Sequence, residues 1–182
     1  MKNLLATLML ISACTVNASE KFQLTSTDIV PDKAMGHAQE YDGFGCSGAN
    51  ASPALTWRGA PKGTRSYAVT MHDQDAPTGS GWWHWMLIDI PATTMALARD
   101  AGNPARKLAP AGATHRRNDF GAAAYGGACP PPGAPAHRYT IKVFALDVER
   151  LEVPRDGSAA LVGYMLNQHA LATAEIATSY RR

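Results

Sequence analysis

The sequence is short of charge, of cysteine and of long apolar runs. Charged residues make up 18% of its 182 positions, and 17 Lys+Arg against 15 Asp+Glu leave a net charge of +2. No basic block occurs among them, which argues against a dedicated nucleic-acid binder, because neutralising phosphates takes clustered Lys and Arg. No segment beyond the first residues reaches the ~18 continuous apolar residues of a membrane span. There is no internal repeat, no linker, and no G-x-S-x-G elbow to hold an α/β-hydrolase nucleophile. What is plentiful points elsewhere. A hydrophobic share of 46% excludes an intrinsically disordered chain, and the length allows one domain. Sixteen Gly and twelve Pro imply many turns and a β-dominated architecture rather than a helix bundle.

Residues 1–18 read as a secretory signal peptide, leaving 19–182 as a single domain. Lys2 supplies the positive end, Leu4 to Ala13 an uncharged apolar stretch, and Val16-Asn17-Ala18 the small residues before a cut. Ile11-Ser12-Ala13-Cys14 competes as a bacterial lipobox that would anchor the product through Cys14. Either way the product is exported, to the periplasm or outside. Cys46 and Cys129 remain, and they are read equally as one disulfide or as two separate thiols.

Lys21 to Ser26 alternates as a first strand, with Phe22 and Leu24 on one face. Short or long strands are expected at Ala54–Trp57, Ser66–His72, His84–Ile90 and His137–Leu146. Asp156 or Ser158 caps a helix with Val162, Met165, Leu166 and His169 at helical spacing, and Ala174–Tyr180 reads as a terminal strand. Arg99 to Pro135 has little periodicity, and a loop of that length is more often functional than idle.

Two local motifs mislead. Gly43-Phe44-Gly45-Cys46-Ser47-Gly48 spells a dinucleotide fingerprint, but Ser52-Pro53 forbids the helix that would receive a pyrophosphate. Asp119-Phe120-Gly121 spells the kinase metal tripeptide in a chain too short for a kinase. A Cys129/His137 thiol dyad has nothing nearby to lower the thiol pKa.

Chemistry concentrates in two segments. His72 to Trp85 sets Asp73 and Asp75 at the end of one strand and His84 at the start of the next, so a hairpin would gather them. Tyr125 to Tyr139 delivers His137 and Tyr139 on one strand face beside a Gly-rich turn. Imidazoles, a tyrosine hydroxyl and backbone N–H groups suit a small anion, with the carboxylates orienting the imidazoles in their tautomers or raising their pKa values toward the charged form. Asp73, Asp75, His84 and His137 could instead supply a two-histidine carboxylate metal set, the basis of a metal-dependent hydrolase.

Asp73-x-Asp75-Ala76-Pro77 with Gly81-Trp82-Trp83-His84-Trp85, then Gly127-x-Cys129-Pro130-Pro131 with His137-Arg138-Tyr139, resembles the phosphatidylethanolamine-binding protein family in its bacterial, Raf-kinase-inhibitor-like branch. Phe44 to Trp57 and Ala174 to Arg181 are similar too, so the resemblance runs from about Phe22 to Arg182. It implies a mainly β fold, a central antiparallel sheet packed on a smaller one, with peripheral helices and a C-terminal helix. It also implies a non-enzymatic pocket without cofactor for a phosphate-bearing anion such as a phospholipid headgroup. Asp73, His84, His137 and Tyr139 match the family's pocket residues; Pro77, Trp82, Cys129 and Pro130 match its walls. One departure is Ala128, where the bacterial branch usually carries proline. Within the pocket, His84 and His137 are expected to donate to the anion, Asp73 to orient His84, and Tyr139 to donate its hydroxyl. Because some relatives of this family inhibit kinases or serine proteases, a partner protease or kinase is the rival reading, and a homodimer is left open.

Overall fold

A computed structural model describes residues 21–182, so the leader reading falls outside the described residues. The described residues begin with β1 (Gln23–Thr25), then two short strands, β2 (Asp42–Gly43) and β3 (Cys46–Ser47), and β4 (Leu55–Arg58). The long strands β5 (Ser66–Asp73) and β6 (Trp82–Pro91) follow, then β7 (Ala96–Leu97), β8 (Thr114–His115) and β9 (His137–Leu146). Helix α1 (Ala159–His169) runs without a loop into the last strand, β10 (Ala170–Tyr180). Ser158 is the helix cap, its Oγ accepting the Leu161 N–H at 3.2 Å.

A five-stranded antiparallel sheet, ordered β10-β9-β5-β6-β8, forms the middle layer. The three-stranded sheet β1-β4-β7 covers one face and α1 covers part of the other. Alternation along each strand builds both cores. Tyr67, Val69 and Met71 of β5 and Tyr139, Ile141, Val143 and Ala145 of β9 meet Leu24, Leu55, Trp57 and Leu97 of the small sheet. The intervening Ala68, Phe144 and Leu146 turn to Val162 and Leu166 of the helix. The one late helix therefore lies before the final strand, where it closes the second core.

Strand β6 breaks strict alternation twice. Its partners on β5 step from Met71↔Trp85 to His72↔Trp83, which leaves His84 as an extra, bulged residue. A second shift lies between Tyr67 and Val69, near Asp89, whose φ is 57°. The bulge decides which side chains face which core. Trp83 packs toward the helix, whereas Trp85 joins the small-sheet core and His84 rests edge-on against Tyr139 of that same core, ring centroids 5.2 Å apart.

The long excursion between β7 and β9 is tied to the sheet rather than free of it. Arg116, Asp119 and Gly126 donate their N–H groups to the carbonyls of Met86, Trp83 and His84. Asp119 also accepts the Trp83 N–H on its carboxylate at 2.7 Å. Its tripeptide thus has a structural role, holding Phe120 over the sheet end. In the first fingerprint-like stretch, β2 and β3 form a hairpin instead of the strand–helix turn that a dinucleotide needs.

Candidate functional site

Asp73, His84 and His137 come from the ends of three adjacent strands and share the small-sheet face. They line a cleft of about 180 Å³ with Pro77, Trp82, Phe120, Cys129 and Pro130. Phe44, at the β2–β3 turn with φ 53°, forms its outer lip and is 74% exposed. The rim is aromatic: Phe120 stacks on Tyr41 with centroids 4.1 Å apart and meets Trp82 and His84 edge-on.

Each histidine is fixed from behind through Nδ1. His137 Nδ1–H donates to Asp73 Oδ2 at 2.8 Å, in a pair that is nearly buried. Asp73 Oδ1 accepts the Asp75 N–H at 2.9 Å, so both carboxylate oxygens are occupied. The expectation that Asp73 orients His84 is therefore corrected: Asp73 holds His137. His84 has other partners, its Nδ1–H donating to the carbonyls of Gly126 at 2.8 Å and Gly127 at 3.0 Å. Carbonyl oxygens cannot donate, so the proton resides on Nδ1 and Nε2 is the ring nitrogen left for a ligand. Burial pushes the His84 pKa down to about 4, a drop that the Gly126 carbonyl and the Asp73 charge only partly oppose. At neutral pH His84 is uncharged and its Nε2 accepts rather than donates.

The Gly-rich turn reaches His84 because it has no side chains. A Cβ on Gly127 would lie 2.2 Å from the Gln39 carbonyl oxygen, and one on Gly126 would lie 2.5 Å from the Phe120 ring. Asn50 Oδ1 accepts the Gly127 N–H at 2.7 Å and fixes the turn from the other side. Ala128 then makes a bridge with Glu40, its N–H donating to the Gln39 carbonyl at 3.2 Å. A proline there has no N–H to give. The turn is held by this bridge in place of a rigid ring.

Cys46 and Cys129 are disulfide-bonded, with Cα atoms 6.0 Å apart. The bond fastens the hairpin that carries Phe44 to the turn that forms the opposite wall. It also removes the thiol that a Cys129/His137 dyad would require. Beneath the hairpin, buried Glu40 accepts from the Ser47 N–H at 3.0 Å and the Tyr180 hydroxyl at 2.5 Å. Burial alone would raise the Glu40 pKa, but the Tyr180 and Ser47 hydrogen bonds and His37 outweigh it and hold the carboxyl low.

Two expected site residues sit elsewhere. Asp75 is drawn outward by Arg138, whose backbone N–H lies 2.8 Å and Nε 3.3 Å from Asp75 Oδ2. Tyr139 is fully buried under His84, and its hydroxyl titrates well above the usual range because it is desolvated beside Asp73. It supports the imidazole from below rather than reaching a ligand. With Asp75 on Arg138, the four-residue metal set does not assemble, and among the described residues no three His, Cys, Asp or Glu are grouped to hold an ion. Phe44, Thr78, Phe120 and Asn50 were not legible as site residues. Phe44 and Phe120 lie inside the two misleading motifs, and the signal the sequence offers for them is an aromatic residue directly before a glycine, Gly45 and Gly121.

The family profile described as "Phosphatidylethanolamine-binding protein" matches residues 25–181. The UPF0098 protein YbcL of Escherichia coli K12 is 48% identical over 180 residues, covering 99% of this chain and 98% of that protein. The crystal structure of E. coli YbcL, described as a member of the mammalian PEBP family, superposes with a TM-score of 0.87 at 51% identity, covering 90% of this chain and 99% of that one. CT736 of Chlamydia trachomatis, described as a PEBP homolog, gives a TM-score of 0.72 at 25% identity, covering 88% of this chain and 97% of that one. LppC of Mycobacterium tuberculosis, named as a lipoprotein, is 31% identical over 137 residues, which is 75% of this chain and 63% of that protein.

Proposed function

We propose that this chain, which belongs to the phosphatidylethanolamine-binding protein family, is an exported binding protein whose cleft takes a small phosphate-bearing anion such as a phospholipid headgroup. One observation carries the reading. Two histidines at the cleft floor each commit Nδ1 to a fixed acceptor behind them and keep Nε2 for what enters. An anion that meets two such nitrogens draws protons onto them, because a lone pair facing an oxyanion repels it and an N–H attracts it. The Asp73 carboxylate holds the His137 ring from behind and so keeps its Nε2 turned to the cleft. The aromatic lip of Phe44, Trp82 and Phe120 suits the apolar or ammonium-bearing remainder of the ligand.

Binding fits this cleft better than turnover. With a pKa of about 4, His84 is a weak base far from a neutral working pH, and Cys129 is not a free nucleophile. The disulfide suits an oxidising compartment, and the resemblance to a protein named as a lipoprotein agrees with the leader in supporting export.

The test is a thermal melt of residues 19–182 with phosphoethanolamine in excess EDTA, for the wild type, Asp73→Asn and His84→Ala. Ligand at ~100 times its dissociation constant adds ~2.7 kcal/mol, a clear shift. The wild type is expected to shift more near pH 6 than near pH 8, and both variants are expected to lose most of the response. A wild-type shift that is equal at both pH values would sink proton uptake, and no shift at all would sink the headgroup reading.

A further inference from the structure

The β5–β6 hairpin sends alternate residues to opposite faces of the central sheet. Asp73, Trp82 and His84 enter the cleft described above, while His72 and Trp83 turn to the helix side, rings 4.3 Å apart. There they open on a second hollow of about 310 Å³ between the sheet and α1, inside the range of about 300–1,000 Å³ typical of small-molecule sites. The helix has two stripes. Ala159, Val162 and Leu166 pack on the core, whereas Ala160, Tyr164 and Asn167 line the hollow. Small residues keep it open: a Cβ on Gly163 would sit 3.5 Å from the Trp83 ring, in space the glycine leaves empty.

The lining is chemically specific. Trp83 is half-buried, and Tyr164 is held 59% exposed on a helix face that buries nothing there. Between these rings lie neutral polar groups, with the Gln74 amide anchored to Thr140 Oγ1 at 3.1 Å and the Asn167 amide facing them from the helix. Among the described residues, Lys142 is the only Lys, Arg, Asp or Glu on the wall, and it is paired with Glu175 at 3.1 Å. Aromatic faces plus uncharged hydrogen-bonding groups, with the one cation neutralised, match a ligand with apolar C–H faces and many hydroxyls. They do not match an anion, an acidic peptide or a lipid tail.

We propose that this hollow is a second site, independent of the first cleft, that takes a neutral pyranose sugar with a ring stacked on Trp83 and Tyr164. The hydroxyls at the ring edge meet Gln74, Thr140 and Asn167. Because Trp83 follows Trp82 on one strand, the two ligands would lie on opposite faces of the same hairpin.

The test follows the indole N–H resonances of the folded domain by NMR during titration with maltose, cellobiose and N,N′-diacetylchitobiose. At least one sugar is expected to shift the Trp83 signal saturably, with a millimolar dissociation constant. Tyr164→Ala is expected to weaken binding about tenfold. Gly163→Leu fills the hollow while improving helix propensity, so it is expected to abolish the response in a protein that still folds. His84→Ala is expected to keep it, which separates this site from the anion cleft. Silence from all three sugars overturns the proposal, as does a response that survives Gly163→Leu. A Trp83 shift that follows protein concentration without sugar also overturns it, by assigning the hollow to a second copy of the chain.

Discussion

Acidification should weaken this fold through His84, and the size of the effect can be worked out. His84 is 2% exposed and its pKa falls from 6.5 to about 4 on folding. Between those values the unfolded chain binds a proton that the folded chain refuses, so stability must drop as pH falls through that window. Moving from about pH 7.5 to about pH 4.5, this one residue removes roughly 2–3 kcal/mol, at about 1.4 kcal/mol per pKa unit. That is a large share of the 5–15 kcal/mol of a typical domain. Glu40 and Asp75, whose carboxyls are held low, lose stability in the same direction on acidification, so the wild type alone cannot isolate His84. Urea unfolding at both pH values, for the wild type and His84→Gln, isolates it. Glutamine carries no titratable proton, and its amide can still donate toward the Gly126 and Gly127 carbonyls. The variant is expected to be less stable at high pH through imperfect packing, yet its loss between the two pH values should be smaller than the wild type's by about 2 kcal/mol. Equal losses in the two proteins would refute the reasoning, because His84 would then titrate alike folded and unfolded.

Two further outcomes test the support of the cleft. The Cys46–Cys129 bond closes a loop with a sequence separation of 83, for which chain entropy alone allows up to about 4.5 kcal/mol. Replacing both cysteines by serine should lower stability by about 2–4 kcal/mol in urea unfolding and should also weaken phosphoethanolamine binding, because Phe44 and the Pro130 wall are no longer joined; unchanged affinity would show that the lip does not touch the ligand. Gly127→Ala forces a Cβ to 2.2 Å from the Gln39 carbonyl, so the melting temperature should fall by several degrees and the His84 Nδ1 proton signal should shift, whereas a wild-type melt would mean that the turn yields freely.

The long strands were legible in the sequence because their two faces bury against different cores. In β9, Tyr139, Ile141, Val143 and Ala145 alternate with residues that meet the helix or the solvent, and hydrophobic period fixes such a strand without knowledge of its neighbours. The Ser158 cap and the helix it starts are local for the same reason. The residues at the cleft were legible as a group, since Asp73, His84 and His137 stand at the ends of strands that the pattern already located. Their pairing was not. Which histidine Asp73 holds depends on the β5–β9 register and on a bulge at His84 that turns it onto the same face as Trp85, and neither leaves a mark in residue type. Phe44 and Phe120 reach the rim from loops 76 positions apart, through a disulfide and a carboxylate that ties Asp119 to Trp83. The burial that takes His84 down to about 4 is likewise a property of what the whole chain packs around it. Sequence alone determined which side chains lie on which strand. Only the tertiary structure decided which of them touch, because contacts between strand ends are set by register, bulges and loops that no local pattern encodes.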